Sequence, residues 1–204
     1  MSRDAIALAM TGASGAPYAL RLLELLLQSG RQVYLMVSAP AQVVIATETD
    51  LQVPGRTDEM TRFFSERFSA APGQLQVFGR DQWMAPVASG SNAPEAMVVC
   101  PCSTGTLSAI ATGASNNLIE RAADVMIKER RNLILVPRET PFSPIHLENM
   151  LTLSRIGVTI LPAAPGFYHK PQHVQDLIDF VVARILDHLA VPHQLMKRWG
   201  ETQA

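Results

Sequence analysis

Ala96-Met-Val-Val-Cys100, running into Pro101-Cys-Ser-Thr-Gly-Thr106, is the stretch that decides the fold of this chain. Five apolar residues form a strand buried on both faces. The Pro, Ser, Thr and Gly that follow break it into a turn rich in hydroxyls and free amides. Helix-like sequence then leads to Arg138-Glu-Thr-Pro-Phe142, which adds a cation and a carboxylate. The N-terminal segment repeats the pattern: Ile6-Ala-Leu-Ala-Met10 breaks into Thr11-Gly-Ala-Ser-Gly15 ahead of a helix. Backbone N–H groups at a helix N-terminus lack intrahelical partners and carry the positive end of the helix dipole, so each turn is a candidate phosphate site. Together the two turns read as a cradle for an anion beside a flat ring.

Working outward, strand-like and helix-like runs alternate. Pro17 opens a helix over 17–28 whose Leu20, Leu23 and Leu27 share a face, and Gly30 stops it. Residues 33–37 form a second buried strand closed by Ser38, and 41–49 are helical. The polar stretch 52–82 predicts an amphipathic helix over 57–68 and a short strand at 75–78, and residues 83–94 predict a loop. Helices over 117–130, 145–155 and 172–189, with strands at 133–136 and 158–161, complete the pattern. Strands that are apolar on both faces and separated by helices imply one α/β domain over 1–204. Its architecture would be a three-layer sandwich around a mainly parallel sheet, with ligands at the carboxyl ends of the strands.

With 204 residues, 48% of them hydrophobic and 17% charged, the chain has the apolar material for one large core. A net charge of −1 gives no general pull toward nucleic acid or anionic membranes, so neither is an expected partner. No apolar run reaches the ~18–20 residues of a membrane span. The N-terminus shows no basic-then-apolar leader, and a cytoplasmic protein is expected. Cys100 and Cys102, the two cysteines present, are expected to be buried on opposite faces, unpaired and too few for a structural zinc. His169 and His173 are four residues apart, but Pro171 between them argues against a helical metal pair, and no metal is expected.

Gly12, Ser14 and Gly15 follow the first strand, where glycine permits close approach of a phosphate, with a structural turn capped by Ser14 as the lesser alternative. The turn departs from G-x-G-x-x-G spacing, and Ser38 stands where a dinucleotide site has an acidic residue, so a mononucleotide is favoured. Ser103, Thr104, Gly105 and Thr106 suit a phosphate or the polar edge of a flavin, while N-capping explains part of that cluster. Arg121, Asp124 and Lys128 share a helical face and read first as a solvated cluster with an Asp124–Lys128 pair. Arg138 and Glu139 sit at the end of a buried strand, where a cation beside a carboxylate can hold a phosphate while positioning a proton donor, with an ordinary surface pair as the alternative. Glu48 reads as a solvent-facing helix residue, and Tyr168 and Lys170 follow the last strand. Arg184, alone in an apolar helix, is open between capping a crossover and reaching a site. Trp83 and Trp199 are open between packing and lining an apolar pocket.

Seven segments carry a resemblance that spans nearly the whole chain: Thr11-Gly-Ala-Ser-Gly-Ala-Pro-Tyr18, Ala46-Thr-Glu-Thr49, Cys100-Pro-Cys-Ser-Thr-Gly-Thr106, Asn116-Asn-Leu-Ile-Glu-Arg-Ala-Ala-Asp124, Val136-Pro-Arg-Glu-Thr-Pro141, His146-Leu-Glu-Asn-Met150 and Pro162-Ala-Ala-Pro-Gly-Phe-Tyr168. The sequence resembles the UbiX-type flavin prenyltransferases. The resemblance implies a Rossmann-like (flavodoxin-like) fold and a metal-independent enzyme. Its reaction would join a dimethylallyl group from dimethylallyl phosphate to reduced FMN at N5 and C6. The product, prenylated FMN, would serve a UbiD-type decarboxylase in ubiquinone biosynthesis or aromatic acid decarboxylation.

The same resemblance implies that FMN is held by Gly12, Ala13, Ser14, Ser38, Ser103, Thr104, Gly105, Thr106 and Arg138. The allylic phosphate would be held by Ser89, Arg121, Lys128, Arg138, Tyr168 and Arg184, some supplied across subunit contacts, with Trp83 and Trp199 walling the prenyl chain. Glu139 would act as the acid on the phosphate, and Glu48 and Ser14 would manage protons at the flavin. A homododecamer is implied, with a tail of about 190–204 packing on the site or on a neighbouring subunit. Two readings stand against this one. An FMN-dependent cysteine-type decarboxylase would show a catalytic His after the first helix and a Pro-x-Met-Asn segment, both absent here. A non-catalytic FMN carrier would have no need of the cations.

Overall fold

The computed structural model describes residues 5–196, and over them strands and helices alternate as the periodicity predicts. In chain order they are β1 (Ile6–Met10), α1 (Ala16–Gln28), β2 (Val33–Val37), α2 (Ala39–Glu48), α3 (Thr57–Arg67), β3 (Leu75–Phe78), β4 (Ala96–Cys102), α4 (Thr104–Ala111), α5 (Leu118–Lys128), β5 (Asn132–Pro137), α6 (Pro144–Arg155), β6 (Thr159–Ile160) and α7 (Val174–His188). All neighbouring strands run parallel, in the order β3-β2-β1-β4-β5-β6. The chain steps outward from β1 in one direction and from β4 in the other. This leaves a crevice between the carboxyl ends of β1 and β4, where the strand order reverses.

Strand alternation divides the core in two. Ile6, Leu8, Leu35, Val98 and Ile134 pack toward α1, α2, α3 and α7, whereas Ala7, Ala9, Met36, Val99 and Leu135 pack toward α4, α5 and α6. The result is the three-layer, Rossmann-like (flavodoxin-like) sandwich. Leu22, Leu23 and Leu26 of α1 are fully buried, each contributing about 1.5–3 kcal/mol. Helix starts follow local chemistry: the Asn117 side chain accepts the Glu120 N–H at 3.0 Å ahead of α5, and the Ser143 hydroxyl accepts the His146 N–H at 3.2 Å ahead of α6. Among the described residues no helix is long and apolar enough to cross a membrane.

Some boundaries differ from those read in the sequence. The last strand is only Thr159–Ile160, because Pro162 has no N–H to continue the ladder, although the Leu161 and Ala163 amides still reach β5 carbonyls. Residues 83–94 are not a featureless loop: they hold two single turns of 3₁₀ helix, Pro86–Ala88 and Gly90–Asn92, with Val87 fully buried. Cys100 and Cys102 do enter opposite core layers. Residues two apart on a regular strand share a face. Here a register shift between Val99 and Cys102 separates them.

Both thiols are free and buried, and burial raises their pKa values, that of Cys102 to about 12. Neither cysteine of the native protein should therefore react with iodoacetamide at mildly alkaline pH, and both should react once urea unfolds the chain, as read by intact mass. Phe64, fully buried on α3, anchors the polar stretch 52–82 to the core. Phe64→Ala should lower unfolding free energy by about 3–5 kcal/mol in urea titration.

Candidate active site

The site is built on Thr11, 3% exposed at the end of β1. Its hydroxyl donates to the Pro101 carbonyl at 2.7 Å and accepts the Ser103 N–H at 2.8 Å, while its own N–H reaches the same carbonyl at 3.2 Å. One side chain thus staples the turn after β1 to the turn after β4. On the far side of that link the Ser103 hydroxyl accepts the Thr106 N–H at 3.2 Å and caps α4. The Ser38 amide donates to the Met10 carbonyl at 3.0 Å, and its hydroxyl accepts the Ala41 N–H at 3.2 Å, capping α2. Three strand ends are drawn together in this way.

Between them lies a cavity of about 550 Å³. Thr11, Gly12, Ser38, Ser103 and Thr106 supply its polar side, and Met36, Met60, Val77, Phe78 and Leu118 supply an apolar wall. Gly12 has to be glycine, since a Cβ there would stand 2.5 Å from Pro40 Cβ. The combination of apolar wall and hydroxyl edge suits a mononucleotide whose base is a broad ring with polar rims. Gly105 also presents open space at the start of α4.

The turn before α1 departs from the simple phosphate cradle expected of it. Gly15, with φ +118°, is the N-cap of α1, and Ser14 caps nothing. The Glu48 carboxylate fills the helix N-terminus, its Oε2 accepting the Gly15 N–H at 2.9 Å and the Ala16 N–H at 2.8 Å. The Ala13 amide turns back to the Thr11 carbonyl at 2.9 Å. Amides predicted to be free for a ligand are thus spent inside the protein. Glu48 is half-buried rather than solvent-facing. Tyr18 is beside it, and burial, with Cys100 and Glu48 adding, raises the pKa of the Tyr18 hydroxyl.

The cations fall into separate places. Arg138 leans across to the α1 turn, its Nε donating to the Ser14 carbonyl at 3.3 Å, and the neighbouring Glu139 accepts the Thr140 N–H at 3.2 Å. Arg121 does not leave Asp124 to Lys128. It takes Asp124 itself at 2.8 Å and ties down the Ala88 carbonyl with Nε at 3.1 Å, while Lys128 pairs with Glu129 beside Gly90. Ser89, next to that pair, lies 3.0 Å from the Ser91 hydroxyl. Tyr168 stands edge-on to Phe180 of α7 at 5.6 Å, and Arg184, on the same helix, pairs with Asp187. Trp83 is 46% exposed and is not among the residues that line this cavity. Trp199 lies outside the described residues. Among those residues no group of three or more His, Cys, Asp or Glu is arranged to hold a metal.

Comparison with known proteins fits this geometry. Residues 1–186 match the Flavoprotein family. The flavin prenyltransferase UbiX of Pseudomonas aeruginosa is 65% identical over 198 residues, covering 97% of this chain and 95% of the relative. The chain belongs to the UbiX-type flavin prenyltransferases. A crystal structure of a UbiX protein in complex with FMN and dimethylallyl pyrophosphate superposes with a TM-score of 0.86 at 39% identity, covering 99% of this chain and 100% of that one. A dodecameric FMN-dependent UbiX-like decarboxylase from Escherichia coli O157:H7 gives 0.85 at 38% identity, covering 97% and 100%. The cysteine-type decarboxylase and carrier readings yield to this membership.

For a UbiX-type chain the structure brings together Gly12, Ser38, Ser103 and Thr106 and joins Ser14 to Arg138. It leaves Ser89, Arg121 and Lys128 on one patch and Tyr168 and Arg184 on another. The sequence reading missed the role of Thr11, whose only signal is a hydroxyl residue directly at a strand end. It also missed Met60, Val77 and Phe78, which periodicity marks merely as buried. Thr11→Val should leave the half-buried Ser103 N–H without its partner and cost about 1–3 kcal/mol in urea titration. Glu48→Gln should cost about 1 kcal/mol, because a neutral amide complements the α1 dipole less well.

Proposed function

We propose that this chain transfers a dimethylallyl group from dimethylallyl phosphate to reduced FMN, making prenylated FMN for a UbiD-type decarboxylase. The observation that carries the reading is the cavity at the β1/β4 crevice, where the hydroxyls of Ser38, Ser103 and Thr106 edge an apolar wall of Met36, Val77 and Phe78. A flavin fits that donor set, its ring against the apolar side chains and its polar groups toward hydroxyls and the bare backbone at Gly12. Gly12, Ala13, Ser14, Ser38, Ser103, Thr104, Gly105, Thr106 and Arg138 would hold it. Once bound and reduced, the flavin supplies the nucleophilic N5 and C6 that accept the five-carbon group.

The chain's own task is to manage charge and exclude water. When the allylic C–O bond breaks, its electron pair leaves with the phosphate, and positive charge develops on carbon. Ser89, Arg121, Lys128, Arg138, Tyr168 and Arg184 would stabilise the departing phosphate, side-chain cations taking the part a metal plays elsewhere. These residues stand on separate patches of one chain, which favours a site completed between subunits, and a dodecamer like that of the Escherichia coli relative is the matching assembly. Trp83, facing outward, and Trp199 would wall the prenyl chain in such an assembly. Glu139 would donate a proton to the phosphate beside Arg138. Ser14 and Glu48 would move protons at the flavin edge, Glu48 from its seat on the α1 amides. A reduced flavin acceptor suits a reducing compartment, and the enzyme would act in the cytoplasm.

Anaerobic incubation with reduced FMN and dimethylallyl phosphate, with the pyrophosphate ester as a parallel arm, should release a flavin heavier by one five-carbon unit. Recovery of unmodified FMN from both arms would overturn the reading. Arg184→Ala should lower kcat/KM for the donor about a hundredfold while FMN stays bound.

A further inference from the structure

Arg184 sits on the last turns of α7 with a half-exposed side chain. Asp187, three residues on, accepts from its Nη1 at 2.7 Å. An exposed pair of this spacing holds an arginine only weakly. What sets this pair apart is the second carboxylate oxygen, Oδ1, which lies 3.2 Å from Nε2 of His193. The His193 side chain is 7% exposed, and its Nδ1 accepts the Leu195 N–H at 3.4 Å, so Nε2 carries the proton that points at Asp187. Val191, two residues earlier, is buried in the core layer beneath α1 and α7. A line of fixed groups therefore runs from the core through an imidazole and a carboxylate to a guanidinium. Asp187 engages Nη1. The Nε and Nη2 edge of the same planar fork has no partner among the described residues, and that edge can take a phosphate through two parallel hydrogen bonds.

We infer that Asp187 is a positioning residue for Arg184 in donor binding, and that His193 holds Asp187 in that role. The inference rests on the reading of Arg184 as a phosphate ligand. Asp187 touches no substrate. It orients the fork and removes rotamer freedom that an unpartnered arginine would lose on binding.

The test is steady-state kinetics of the full chain with reduced FMN and varied dimethylallyl phosphate. Asp187→Asn should raise KM for the donor about fivefold, with kcat and FMN affinity little changed. His193→Ala should give the same split, and His193→Gln, whose amide can still donate to Oδ1, should restore it. In an Arg184→Ala background, Asp187→Asn should lower kcat/KM no further, whereas a residue that only stabilised α7 would act equally in both backgrounds. Wild-type KM in both Asp187→Asn and His193→Ala, or an undiminished Asp187→Asn effect without Arg184, overturns the inference. Unchanged kinetics in Arg184→Ala alone would instead remove the phosphate-ligand reading beneath it. Should Asp187→Asn fail to fold, the two His193 variants decide the matter by the same KM comparison.

Discussion

The Thr11 hydroxyl, buried between the ends of β1 and β4, is the link on which the site depends. It donates to the Pro101 carbonyl, which the Thr11 N–H also reaches, and accepts from the half-buried Ser103 amide, so one residue bonds the two turns together. The helices that follow β1 and β4 leave to opposite faces of the sheet, and the crevice opens between the two turns. Thr11 bridges those turns. Gly12 and Ser103 are held at a set separation, with Ser38 joined in through the Met10 carbonyl, and the cavity is the space between them.

A second constraint is electrostatic. The chain is almost neutral overall, and its charges are balanced locally. The positive end of α1 is met by Glu48, while Arg121, Lys128 and Arg184 each have a carboxylate within three residues, namely Asp124, Glu129 and Asp187. Such pairs add little stability. Alone they also hold a long side chain only weakly, and in the Arg184 case a buried imidazole stiffens the arrangement.

The fold was legible because each element obeys a local rule. The runs Ile6–Met10, Val33–Val37 and Leu75–Phe78 are short and mainly apolar, and turn residues bracket them, so strand limits coincide with those read in the sequence. Where limits differ, nonlocal partners intervene: β4 runs on through Pro101 to Cys102, with the Pro101 carbonyl taken by Thr11 from another strand. Candidate ligands were legible as types at strand ends. Their partners were not, because nothing in residues 121–128 says that Asp124 takes Arg121 rather than Lys128.

The sequence by itself determined the alternation of buried strands and amphipathic helices, the two hydroxyl-rich turns and the family, since these rest on periodicity, turn chemistry and short motifs. Only the tertiary structure decided that the α1 N-terminus is filled by Glu48, that Thr11 couples the two turns, and that the cations lie on separate patches. The physical reason is distance along the chain. Glu48 lies 33 residues from Gly15 and Thr11 lies 92 from Ser103, and hydrogen bonds between groups so far apart are settled by how the sheet closes, which no local pattern records.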